Sequence, residues 1–411
     1  MVMWRVLVAL FDQVEGLQLL EALVEAGNVV SQQVLEKLVR SNALPTASKM
    51  DADADDRFHL SGPTHMMPGA GAVRSLATTT MMIDWDNEEH RRCIAASIVK
   101  GTYILEDDRN TCRLLVGEAL APAWWESFHF RIVKVLKDDC DRKGEHKFIF
   151  GAIYEHVPPA GARRHPSAPQ YVVALRGTML KHPDPFKDLW LDLKVMANTL
   201  HRCRRSERAR TEVEALLGAG CSPVWLTGHS LGASLALDVG RRMMADKGVS
   251  LPTFLFNPPQ VSPAPVINAL HPTEVGKRDL YATSYVLKAG LGLVLSPHRK
   301  RMEALFQRLA PWAPQLYVHD RDVVCLGFID YFQQRQQFQE RFRGVARSAM
   351  TLSYRDMLFS LVGTDKERPH LLPSAMLVKN SSDCDAHGLE QWWKPDSELN
   401  LSAKRYSYPG A

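Results

Sequence analysis

Residues Val224–Gly232 read VWLTGHSLG, a short apolar run followed by Gly228, His229, Ser230, Leu231 and Gly232. A G-x-S-x-G pattern between an apolar strand and a helix marks a tight strand-to-helix turn. A serine at such a turn takes strained backbone geometry, and the positions two residues either side must lack side chains that would clash. Ser230 then projects its hydroxyl from the carboxyl end of a sheet, beside a helix N-terminus whose dipole favours negative charge. Downstream, Leu231, Leu235, Val239 and Met243 recur at helical steps, and Ala233, Ser234 and Ala236 are small enough to pack closely against strands.

Working outward, further short runs read as strands: Phe148–Tyr154, Tyr171–Leu175, Phe254–Phe256, Leu316–Val318 and, as the last, Ala375–Val378. Amphipathic helices are expected at Phe186–Arg202, Ser206–Leu217, Leu231–Ala245 and Phe328–Val345, and earlier at Leu17–Arg40, Trp85–Leu105 and Ala123–Leu136. Near-continuous apolar strands alternating with amphipathic helices require a mostly parallel sheet flanked by helices on both faces. The spacing therefore predicts an α/β domain from about Asp84 onward.

A serine hydroxyl is a weak nucleophile unless a base takes its proton, so an acid and a histidine are sought downstream, in that order. Leu316–Cys325 (LYVHDRDVVC) supplies Asp320 and Asp322 just after an apolar run, and the chain beyond offers His370 and His387. His387 follows the Ala375–Val378 strand, where the base of such a sheet is expected, whereas His370 precedes it. An oxyanion hole needs two backbone N–H groups, one from the residue after the nucleophile and one from a loop after an earlier strand. Leu231 supplies the first, and Thr178, in Tyr171–Thr178 (YVVALRGT), is the candidate for the second.

Together these residues resemble the class 3 lipases with the fungal triacylglycerol-lipase, α/β-hydrolase fold. That family runs through an Arg-Gly-Thr strand end, a helix with Trp and Asp-Leu, G-H-S-L-G, an acid in D-x-V-P, and a histidine. The matching stretches are Leu175–Thr178, Trp190–Leu193 (WLDL), Gly228–Gly232 and Asp322–Cys325, with Cys325 in place of proline. The chain is more similar still to a plant subgroup labelled GDSL esterase/lipase, at Phe58–Pro63, Asp84–Arg92, Ala121–Trp125, Phe256–Pro259 (FNPP), His370–Ser374 and His387–Pro395, although it has no Gly-Asp-Ser-Leu motif. The resemblance implies ester hydrolysis through an acyl-enzyme, with Ser230 as nucleophile, Asp322 as acid, His387 as base, and Thr178 with Leu231 as oxyanion hole. It implies an ester or acyl-lipid substrate and no cofactor or metal. The alternative expectation keeps the fold without catalysis: a scaffold or receptor for a small apolar ligand or protein partner.

The rest of the chain bounds these expectations. With 411 residues, 45% hydrophobic and 23% charged, 25 Gly and 24 Pro, the protein is neither fibrous nor wholly disordered. A formal charge of +4 from 50 basic and 46 acidic residues is too balanced for general nucleic-acid binding. Seven scattered cysteines without a C-x-x-C pair argue for free thiols and a cytoplasmic location. Met1–Leu10 begins like a signal peptide, but Arg5 interrupts it and no cleavage site follows. The organisation expected is a helical extension and linker over 1–57 and a lipase-like domain over 58–411. Within that domain lie a flexible insertion at 64–82 and a helical cap at 260–315, which includes apolar Ala282–Leu295 and basic His298–Arg301. Two readings of this cap stand: one that lines an acyl pocket or meets a membrane surface, and a packed helix whose charges are simply solvated.

Overall fold

The computed structural model describes residues 60–66, 83–113, 115–119, 121–138, 148–177, 203–218, 223–260, 290, 292, 295–342, 349–352 and 371–408. All belong to one compact unit, 50–261 with 282–411; a second unit, 1–49 with 262–281, lies outside the described residues. The expected extension over 1–57, the helix Phe186–Arg202 and most of the 64–82 insertion also lie outside them. Of the insertion, Thr64–Met66 forms a short 3-10 turn with Met66 buried.

Five α-helices are present among the described residues: α1 Glu88–Asn110, α2 Arg204–Gly218, α3 Leu231–Lys247, α4 Ser296–Leu309 and α5 Leu326–Arg341. The strands are β1 Phe130–Asp138, β2 Phe148–His156, β3 Tyr171–Leu175, β4 Val224–His229, β5 Thr253–Phe256, β6 Gln315–His319, β7 Ala375–Asn380 and β8 Leu401–Tyr406. They form an 8-stranded sheet in sequence order. Strands β3 to β7 pair in parallel, and β1, β2 and β8 add antiparallel edges. This is an α/β-hydrolase-type fold.

The parallel strands bury both faces, which is why they read as continuous apolar runs. Alternate residues enter two different cores. Val173, Leu226, Leu255, Leu316 and Leu377 pack with α3, α4 and α5, while Val172, Trp225, Phe254, Tyr317 and Val378 pack with α1. Helix α1 starts where Asn87 accepts a hydrogen bond from the Glu89 N–H, with Glu88 and Glu89 in its first turn. Helix α3 ends at Gly248, which takes the left-handed conformation, φ 69°.

Two expectations differ from the structure. Ala123–Leu136 is not a helix: a 3-10 turn, Trp124–Phe128, ends at left-handed His129 (φ 61°), and Phe130 begins β1. The spacing of Trp124, Phe128, Ile132 and Leu136 suits a helix, but Phe130, Ile132, Val133, Val135 and Leu136 also suit a strand, and pairing with β2, with register shifts between Ile132 and Lys134 and between Leu136 and Lys137, decides between the two. Ala375–Val378 is not the last strand, because β8 follows and pairs antiparallel with β7. Most of the 260–315 stretch expected as a cap, with nearly all of Ala282–Leu295, lies outside the described residues, and its described helix α4 packs against the core. Met302, Leu305, Phe306 and Leu309 join the same core as α3, and Gln315 already belongs to β6. Within the basic run, His298 is buried and Arg299 lies 3.5 Å from Glu303, so the exposed charges are those of Lys300 and Arg301.

Candidate active site

The carboxyl ends of β3 to β7 lie along one edge of the sheet, where open parallel sheets present their sites. Register aligns Leu175 with Gly228, His229 with Phe256, and Phe256 with Tyr317. The residues that follow these strands, Gly177, Ser230, Asn257, Asp322 and His387, therefore converge although they are far apart in the chain.

Ser230 occupies the turn between β4 and α3 with φ 53° and ψ −126°, a strained conformation for a residue with a side chain. The flanking glycines make this turn sterically feasible. A Cβ on Gly228 would stand 2.4 Å from the Gly232 carbonyl oxygen, and one on Gly232 would stand 2.2 Å from that of Leu175. The Ser230 side chain makes no cap to α3, which leaves its hydroxyl for His387: Nε2 lies 3.1 Å from Oγ. His387 Nδ1 lies 2.9 Å from Asp322 Oδ2. The carboxylate can only accept, so Nδ1 carries the proton and Nε2 faces Ser230 with a free lone pair.

Asp322 is buried, and burial alone would push its carboxyl up. The charge of His387 and hydrogen bonds from His387, Asn257 and Cys325 outweigh that and hold it below the ordinary value. Burial works to lower His387, but Asp322, by charge and hydrogen bond, and Asp385 raise it above the usual imidazole range. Asp320 faces elsewhere, accepting from the Ser381 hydroxyl at 2.5 Å. Leu231 is the first residue of α3, with its N–H at the helix N-terminus beside Ser230. Thr178 and His370 lie outside the described residues.

Three further side chains support the site without a local signal in the sequence. His229, the variable residue inside G-x-S-x-G, places Nε2 2.9 Å from the His387 carbonyl oxygen, so Nε2 must be protonated. Burial pushes its pKa down to about 3, which keeps the ring neutral and leaves Nδ1 as an acceptor. Tyr103 of α1 therefore donates its hydroxyl hydrogen to His229 Nδ1 at 2.9 Å, while its oxygen accepts from the Gly177 N–H at 2.8 Å. This chain of hydrogen bonds runs from the Arg-Gly-Thr loop to the backbone of the histidine. Asn257, within the FNPP stretch, is the third. Its position is marked in the sequence only by the resemblance.

Helix α1 also anchors the segment after His387. Buried Arg92 donates to the carbonyls of Trp392 and Lys394, at 2.6 and 2.8 Å, and to Asp396 at 2.6 Å. Lys100 lies 5.1 and 5.0 Å from the ring centres of Trp124 and Trp393. Cys93, Cys112, Cys203, Cys325 and Cys384 are free thiols. Among the described residues there is no His/Cys/Asp/Glu group arranged to hold a metal, and no helix is long and apolar enough to cross a membrane.

An α/β-hydrolase-type sheet with a serine elbow at its carboxyl edge is the framework of the serine hydrolases. A curated Arabidopsis thaliana protein named GDSL esterase/lipase is 35% identical to this chain over 376 residues, covering 87% of this chain and 99% of that relative. The chain belongs to this GDSL esterase/lipase family. No family model and no solved structure matches it.

Proposed function

We propose that the chain is a serine carboxylic-ester hydrolase of the class 3 lipase type, working through Ser230, His387 and Asp322 on acyl lipids or related esters. The observation that carries this reading is the continuous contact from Ser230 Oγ to His387 Nε2, 3.1 Å, and from His387 Nδ1 to Asp322 Oδ2, 2.9 Å. In the first half-reaction Ser230 Oγ attacks the ester carbonyl while His387 Nε2 takes its proton. Asp322 stabilises the imidazolium, and His387 then protonates the leaving alcohol, which leaves an acyl-serine. Water attacks the acyl-enzyme by the same route, giving the acid and free Ser230. Leu231 and Thr178 supply the N–H groups for the oxyanion, and losing one such donor costs on the order of a hundred- to a thousandfold in turnover.

Labelling by a fluorophosphonate probe and turnover of a panel of p-nitrophenyl and acylglycerol esters test this reading. Wild type labels and turns over, Ser230→Ala does neither, His387→Ala loses turnover and His370→Ala keeps it. Equal labelling of Ser230→Ala and wild type, or ester turnover that survives Ser230→Ala, refutes the assignment. Loss of turnover in His370→Ala alone moves the base to that residue. The panel also ranks acyl-chain preference, where long-chain acylglycerols above short soluble esters support the lipid substrate.

A further inference from the structure

Asn257 is the first residue after β5. It is fully buried, has φ 47°, and uses both ends of its amide. Nδ2 donates to Asp322 Oδ2 at 2.7 Å and to the Ala386 carbonyl at 2.9 Å, while Oδ1 accepts from Trp392 Nε1 at 2.5 Å. The amide cannot be the other way round. The carboxylate and the carbonyl only accept, and an indole N–H only donates, so the partners themselves fix which end is nitrogen. One side chain thus grips the carboxylate that follows β6, the peptide that precedes His387 after β7, and the 3-10 turn Leu389–Trp393 beyond it.

We propose that Asn257 is a positioning residue for the triad: its amide holds the Asp322 carboxylate and the His387 loop in register with each other, and Trp392 holds the amide. This rests on the triad function proposed for Ser230, His387 and Asp322. Asp322 and His387 are 65 positions apart in sequence and sit on loops of different strands, so their 2.9 Å contact depends on how those loops are held. The Asn257 N–H also shares the charge on Oδ2, the oxygen that receives His387 Nδ1–H. The ionisable groups facing His387 are Asp322, Asp385 and His229, and Cys325 also contacts Asp322.

The left-handed backbone of Asn257 supplies a competing reason for the residue, since Asn tolerates positive φ better than most side chains. Asn257→Gly separates the two explanations because glycine keeps the backbone and loses the amide. Turnover per fluorophosphonate-titrated site is measured against pH, so misfolded protein does not enter the rate. For Asn257→Gly, kcat per site is expected to fall about tenfold to a hundredfold, the usual effect of one hydrogen bond to a charged group, with KM unchanged. The acid limb of the profile moves to higher pH, because Oδ2 without the amide gives more of its charge to the His387 imidazolium. Trp392→Phe, which keeps an aromatic ring and removes the donor that orients the amide, gives a smaller change in the same directions and decides the matter if Asn257→Gly yields no titratable sites. A folded variant with kcat per site within twofold of wild type and an unmoved acid limb overturns the proposal. Failure of the triad reading itself shows separately, as turnover that survives Ser230→Ala with Asn257 intact.

Discussion

Replacing Asp322 by Asn tests the electrostatics of the site most directly, because the surroundings leave an amide no comfortable orientation. Each partner of the carboxylate is a donor. His387 Nδ1 lies 2.9 Å and Asn257 Nδ2 2.7 Å from Oδ2, and the Val324 N–H lies 3.0 Å from Oδ1. An NH2 in the place of Oδ2 forces His387 to carry its proton on Nε2, where it cannot accept one from Ser230. An NH2 in the place of Oδ1 keeps the tautomer but strands the Val324 N–H and still leaves the imidazolium without a counter-charge. With charge centres about 4 Å apart at an effective dielectric of about 20, the lost attraction is about 4 kcal/mol, or about a thousandfold in kcat. A wrong tautomer takes the loss toward about ten-thousandfold, the effect of the equivalent substitution in a serine-protease triad.

The same substitution moves the pH profile. His387 acts as base only when neutral, so activity rises with pH through its pKa, and Asp322 is what raises that pKa above the ordinary value. In Asp322→Asn the residual activity therefore keeps its acid limb at lower pH than wild type. The assay is kcat and kcat/KM for a soluble p-nitrophenyl ester from about pH 4 to 9, normalised to probe-titrated sites. A loss smaller than about tenfold, or a small loss with an unmoved acid limb, would refute the assignment of Asp322 as the charge partner of His387.

Two further predictions concern groups around the site and the sheet edge. Tyr103→Phe removes the hydroxyl that joins the Gly177 N–H to His229 Nδ1 and strands two buried groups. At about 1–3 kcal/mol for each, equilibrium denaturation is expected to show a loss of about 2–6 kcal/mol, together with a lower kcat; a loss under about 1 kcal/mol contradicts the hydrogen-bond chain. His156, packed against Trp85 and Phe130 with ring centres at 5.1 Å in each case, has its pKa pushed down to about 4 by burial. Because the unfolded chain binds that proton and the folded one does not, stability falls as pH drops from about 6.5 to about 4. His156→Phe should flatten this part of the melting-temperature profile, and an unchanged slope contradicts the assignment.

Much of this protein is legible along the chain because the relevant constraints are local. Val224–Gly232 specifies a buried strand, a strained serine and a helix within a few residues, and Gly228 is dictated by a contact inside the turn, whereas Gly232 makes room for the Leu175 carbonyl at the end of β3. The parallel strands are legible because burial on both faces leaves them apolar runs, with the polar residues mostly at their ends. Local pattern fails where the same apolar residues suit a helix or a strand, as at Phe130–Asp138, and where a strand is largely exposed, as at Leu401–Tyr406, whose polar residues give no apolar run.

The class of sheet, the serine at its elbow and a short set of acids and histidines downstream are all readable along the chain. Only the tertiary structure decided that Asp322 rather than Asp320 meets His387, and that His387 reaches Ser230 from 157 positions away. It alone brings Tyr103, His229 and Asn257 into one hydrogen-bonded cluster with that contact. The physical reason is range. Backbone strain and periodic burial act over a few residues and leave a trace in the local sequence. A hydrogen bond between loops of different strands exists only once the register of the sheet has set those loops side by side.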